Sequence, residues 1–239
     1  MKSGLKNFVV VVASLGIVGV AHVAYGGTII TPTLSISDGV DPVITIFDNG
    51  LGDLNGTIGA LTLSTNLGVW NLSIATGVTY PALGSFTNPV MDLVIQASST
   101  GAGSLTYTFS DIGFSPPKVP GTNLSTTVSG HVISGAPTSV DYSVYGDPSD
   151  VLGAKTVLLA TTGTNALPVL ISNSGLIGLS DPFSLTQVVQ LNASGASSVS
   201  VDASLSVVPE PGSSALTFLG LAFLVVGLAC RRRSLHCVS

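Results

Sequence analysis

The chain has 239 residues, of which 45% are hydrophobic and only 8% charged, and its formal net charge is −5. The two cysteines and three histidines form no zinc-binding cluster, and so few basic residues exclude a phosphate-binding surface. The length allows one sizeable core between short terminal segments.

Residues 1–7 carry Lys2 and Lys6 and no acid, and residues 8–20 are apolar apart from small side chains. A small-x-small site follows at Ala24-Tyr25-Gly26. A basic start, a short apolar stretch and a small-residue exit predict a secretory signal peptide over 1–26, cleaved after Gly26. An uncleaved anchor is the competing reading, and the run is short for one.

The predicted body, 27–207, holds eleven aspartates against two lysines, Lys118 and Lys155, a formal charge of −9. It contains no glutamate, arginine or cysteine. Nucleic acid is therefore excluded as a partner. Period-two patterns recur along it. Candidate strands are 28–36, 43–47, 58–63 and 69–74, a segment with Met91, Leu93 and Ile95 on one face, and 104–109. They continue at 126–133, 140–145, 156–160, 169–171, a segment with Leu185, Val189 and Leu191 on one face, and 199–207. Clusters of Gly, Asn, Asp and Ser separate them and supply turns. About a dozen short strands with no helical period predict an all-β fold, an antiparallel β-sandwich of jelly-roll type. A β-helix is the alternative, but no fixed repeat supports it. The Pro-rich segment 114–121 is predicted to be a crossover within one domain.

Four groups of residues raise chemistry. Asp38, Asp41, Asp48, Asp53 and Asn55 lie close together in loop-rich sequence, and calcium takes six to eight such oxygens. Asx-turns explain the same residues without a metal. Asp147 and Asp150 form a smaller acidic pair. His131 is the one body histidine, and no Gly-x-Ser-x-Gly elbow accompanies it. Trp70, Tyr80 and Tyr107 offer a sugar-stacking platform if exposed, and core packing if not.

The last segment, 208–239, has three parts in order. Pro209-Glu210-Pro211 is rigid and is expected to end the last strand. Residues 213–230 carry no charge and, as a helix, span about 27 Å, close to the bilayer core. Arg231, Arg232 and Arg233 then hold that end in the cytoplasm.

This order of parts closely resembles the PEP-CTERM sorting signal of bacterial exosortase substrates. Residues 48–55, 68–71, 105–114 and 182–189 are more loosely similar to a module that recurs in secreted proteins with that signal. The resemblance implies export, processing near 209–211 by an exosortase-type membrane enzyme, and delivery to the surface or matrix of a bacterium with an outer membrane. It carries no enzymatic activity. The expected function is a non-catalytic structural or interaction role in an exopolysaccharide layer. A carbohydrate-binding adhesin is the alternative, with a secreted hydrolase behind it.

Overall fold

Alternation with a period of two governs nearly all of the residues that the computed structural model describes, namely 32–115, 122–176 and 178–209. The described residues form thirteen strands and no helix. In chain order these are β1 (Thr33–Ser37), β2 (Ile44–Phe47), β3 (Ala60–Leu67), β4 (Trp70–Val78), β5 (Gly84–Ser85), β6 (Asn88–Ser99) and β7 (Gly103–Phe114). Then come β8 (Thr122–Gly135), β9 (Thr138–Asp147), β10 (Val157–Ala166), β11 (Val169–Leu176), β12 (Phe183–Ala193) and β13 (Ser197–Pro209).

The strands build two antiparallel sheets. The first has the order β10-β9-β12-β7-β1-β2, and the second β11-β8-β13-β6-β4-β3 with β5 paired beside β6. From β6 to β13 the chain crosses repeatedly between the sheets, in the double Greek-key order of a jelly roll. The inner faces meet along one continuous apolar layer. Leu105, Tyr107 and Phe109 face it from β7, and Val199, Val201, Ala203, Leu205 and Val207 from β13. Each of these is buried while most alternate residues keep some contact with water, so β13 is amphipathic along its length. Gly77 on β4 thins the layer locally: a Cβ there would lie 2.8 Å from the Phe109 ring.

The sandwich has two unlike ends. At the hairpin end lie the short connections β1–β2, β3–β4, β6–β7, β8–β9, β10–β11 and β12–β13. At the exit end lie the longer connection β2–β3, the connection β4–β6 that carries β5, and both boundaries of the described body, Pro32 and Pro209.

Two expectations change. The strands are longer than predicted, up to fourteen residues in β8, because outward Ser and Thr residues continue pairing where the apolar signal stops. Pro209 does not stop the strand, since β13 reaches it in register with Thr122. Pairing with β6 has already ended at Ser206, so Pro209 lies where β13 has become an edge strand, a position that tolerates proline.

Candidate functional site

On the outer face of the first sheet, β1, β7 and β12 leave a hollow of about 350 Å³. Its floor is the outward set of residues that alternates with the core: Ser35 and Ser37 from β1, Ser104, Thr106 and Thr108 from β7, and Gln190 from β12. Asp38, Gly39 and Val43 of the β1–β2 turn close one side, and Lys155 another.

The connection from β9 to β10 makes that second wall by folding back over the sheet. Gly153 N donates to Ser110 Oγ at 2.8 Å, Gly113 N donates to Asp150 Oδ1 at 2.7 Å, and Ser184 Oγ donates to Val151 O at 2.8 Å. Ser110, Ser184 and Thr186 point outward by parity yet are fully buried, because this loop covers them. Within the hollow, Ser35 and Thr45 share a hydroxyl contact of 2.8 Å, and Ser104 Oγ donates to Asn192 Oδ1 at 2.6 Å. Thr106, Thr108 and Gln190 commit no side-chain hydrogen bond to partners among the described residues. The floor therefore presents hydroxyls and an amide, which both donate and accept.

The aspartates expected to hold calcium are spread over both ends. Asp38 and Asp41 are at the hairpin end, where Asp38 Oδ1 accepts from Asp41 N at 2.8 Å and Val40 N at 3.0 Å. Those two bonds, the Asp41 one first, hold the Asp38 carboxyl below its ordinary range. Asp48, Asp53 and Asn55 are in the β2–β3 connection at the exit end. Asp53 accepts from Thr62 N, Asn55 N and Asn49 N at 2.8–2.9 Å, and Asp48 Oδ2 accepts from Gly59 N at 2.9 Å. Among the described residues no three acidic or histidine side chains converge on one point. Asp147 likewise serves its loop, accepting from Thr156 Oγ1 at 2.6 Å and Val151 N at 2.9 Å, and these contacts lower its pKa.

His131 stands exposed on the outer face of the second sheet, opposite Ser200. Trp70 and Tyr107 are core residues at 1% and 0% exposure, and Trp70 Nε1 donates to Ser104 O at 3.1 Å. Tyr80 packs edge-on against Phe86 with ring centroids 6.4 Å apart. The three aromatics therefore form no shared platform.

Sequence reading missed several polar groups. Asp92 and Asp202 are diagonal neighbours on the outer face of the second sheet. Partial burial, then the Asp202 charge, pushes Asp92 up to about 6. Asp111 and Gln187 point into the core with the parity of Phe109 and Leu185. Asp111 Oδ2 accepts from Thr79 Oγ1 at 2.9 Å and Oδ1 from Ile112 N at 2.8 Å. Burial outweighs both bonds and raises Asp111 to about 7. Parity was the available signal for these two, since each continues an alternating apolar series.

No family model and no curated protein matches the chain. Among solved structures, it is similar to a carbohydrate-binding module of the β-sandwich superfamily studied for promiscuous specificity. That pair is 13% identical, with 72% of this chain and 70% of that chain covered and a TM-score of 0.32. A carbohydrate-binding module with specific mannan recognition is 8% identical, covering 58% of this chain and 87% of the other, at a TM-score of 0.27. Likeness of this size extends to neither ligand nor mechanism. The predicted signal peptide, and Glu210, Pro211 and Arg231–Arg233 of the sorting signal, lie outside the described residues.

Proposed function

We propose that this chain is an exported, non-catalytic interaction protein of an extracellular polysaccharide layer, and that the hollow over β1, β7 and β12 holds neutral polysaccharide. The hollow's lining is the observation that carries the reading. Sugar hydroxyls both donate and accept hydrogen bonds, and a floor of Ser35, Ser37, Thr106, Thr108 and Gln190 offers the same chemistry along an extended line. Asp38 and Lys155 add charge-assisted bonds at the walls. No aromatic side chain lines the hollow, so each site is weak, on the order of millimolar, or about −4 kcal/mol. Repeated sugar units presented to many copies raise the avidity of such sites. A body charge of −9 disfavours acidic polymers.

Delivery is the second half of the proposal. The 1–26 segment directs export, residues 213–230 span the inner membrane with Arg231, Arg232 and Arg233 inside, and an exosortase-type enzyme processes the chain at Pro209-Glu210-Pro211. Deletion of that enzyme should leave an uncleaved, membrane-retained species. Unchanged size and location would refute the delivery route.

The hydrolase reading has one observation to weigh, the Asp92–Asp202 pair. The two carboxyls stand on neighbouring strands of the second sheet's outer face, away from the hollow. The secreted, purified protein on a glycan array separates the readings. Retention of neutral glycans that weakens in Lys155→Ala and Gln190→Ala supports the proposal. Turnover that disappears in Asp92→Asn refutes it.

A further inference from the structure

The exit end of the sandwich carries side chains that water does not favour. In the β2–β3 connection Leu51 is 101% exposed, Leu54 66% and Ile58 61%. Phe86, in the turn between β5 and β6, is 47% exposed, and Phe47 closes β2 beside them at 40%. In the hairpin-end connections the exposed large apolar residues are valines alone, Val40, Val43 and Val69. The large apolar loop side chains are therefore gathered at one end. The β2–β3 connection is also well fixed. Asp53 and Asp48 accept four backbone N–H bonds from within it and its borders, which presents Leu51 and Leu54 on a shaped loop.

The same end is where the chain leaves towards its long apolar run. Pro209 pairs with Thr122 there, and Ser213 begins the uncharged stretch four residues later. Four residues extend over at most about 14 Å. The polar layer on each side of a bilayer core is about 5–8 Å deep. Once 213–230 spans, Pro209 can stand at most about 6–9 Å beyond the polar layer, which keeps the exit end next to the lipid.

We infer that the exit end is a lipid-facing surface, with Leu51, Leu54, Ile58 and Phe86 seated in the headgroup layer of the membrane that receives the C-terminal segment. This inference rests on the reading of 213–230 as a span. It fixes how the body is held before processing: sheets upright, hollow facing sideways, and the Pro209-Glu210-Pro211 segment at the membrane surface. Asp48 and Asp53 sit in the same loop, so the fitting surface is zwitterionic rather than anionic.

Spin labelling of the full chain tests it. In a Cys230→Ser, Cys237→Ser background, single cysteines are placed by Leu54→Cys, by Phe86→Cys and, at the exposed hairpin-end turn, by Ala102→Cys. Each is labelled with a nitroxide and reconstituted in phosphatidylcholine nanodiscs. Collision with a water-soluble nickel chelate should fall several-fold at 54 and 86 relative to 102, while collision with oxygen rises. Equal nickel access at all three positions, in discs that contain the protein, overturns the inference and leaves the span reading intact. Failure of the chain to enter the discs overturns the span reading and this inference with it.

Discussion

Tyr107 and Tyr142 face the same core from strands on either side of β12, both in register with Val189, yet their hydroxyls differ. Tyr142 Oη lies 2.9 Å from Gln187 Oε1 and 3.1 Å from Ser204 O, linking the two sheets. Among the described residues Tyr107 Oη and Gln187 Nε2 have no hydrogen-bond partner. Removing an unpartnered buried hydroxyl loses no bond, whereas removing a bonded one strands its acceptors at about 1–3 kcal/mol. Tyr107→Phe should leave the melting temperature unchanged or higher, and Tyr142→Phe should lower it. A clear loss in Tyr107→Phe would mean that its hydroxyl is bonded in solution. The buried acids give a pH dependence. Asp92 and Asp111 have folded pKa values raised to about 6 and about 7, above 3.8, so between those limits the folded state holds more protons than the unfolded one. Stability should therefore fall as pH rises from about 4 to 7. Asp38 and Asp147 are lowered, so their contribution is present above about 4 and lost below it. Melting temperatures from pH 3 to 8 should peak near pH 4–5, and Asp111→Asn should flatten the decline towards neutral pH. Stability that rises from pH 5 to 7 would contradict both assignments.

At the scale of elements, Gly77 shows what one absent side chain does. Its missing Cβ leaves the space in which the Phe109 ring lies against β4. Gly77→Ala should cost about 1–3 kcal/mol through overpacking, read as a lower denaturation midpoint with an unchanged slope. An unaffected midpoint would mean that Phe109 has room to move. The strands themselves were legible, because one wet and one dry face impose the period of two, as β13 shows from Val199 to Val207. Their ends were not. Outward Ser and Thr residues look alike in a strand and in a loop, so the long reach of β8 and the two-residue β5 left no apolar trace.

At the scale of the molecule, the all-β antiparallel sandwich followed from strand count and turn spacing, while the candidate site did not. Ser35, Thr106 and Gln190 come together only because β1, β7 and β12 are neighbours, which sequence order hides. The covering loop hides the rest, since Lys155 becomes a wall only when the β9–β10 connection folds back over Ser110. Conversely, the aspartates that looked close in sequence are divided between opposite ends. Binding of soluble neutral oligosaccharides to the secreted protein, followed by NMR titration and repeated with a Thr106→Val, Gln190→Leu double variant, tests the central claim most directly. The account predicts millimolar binding by the wild-type protein that disappears in the variant while its melting temperature is retained; undiminished binding in the variant, or none by the wild type to any neutral glycan, would contradict it.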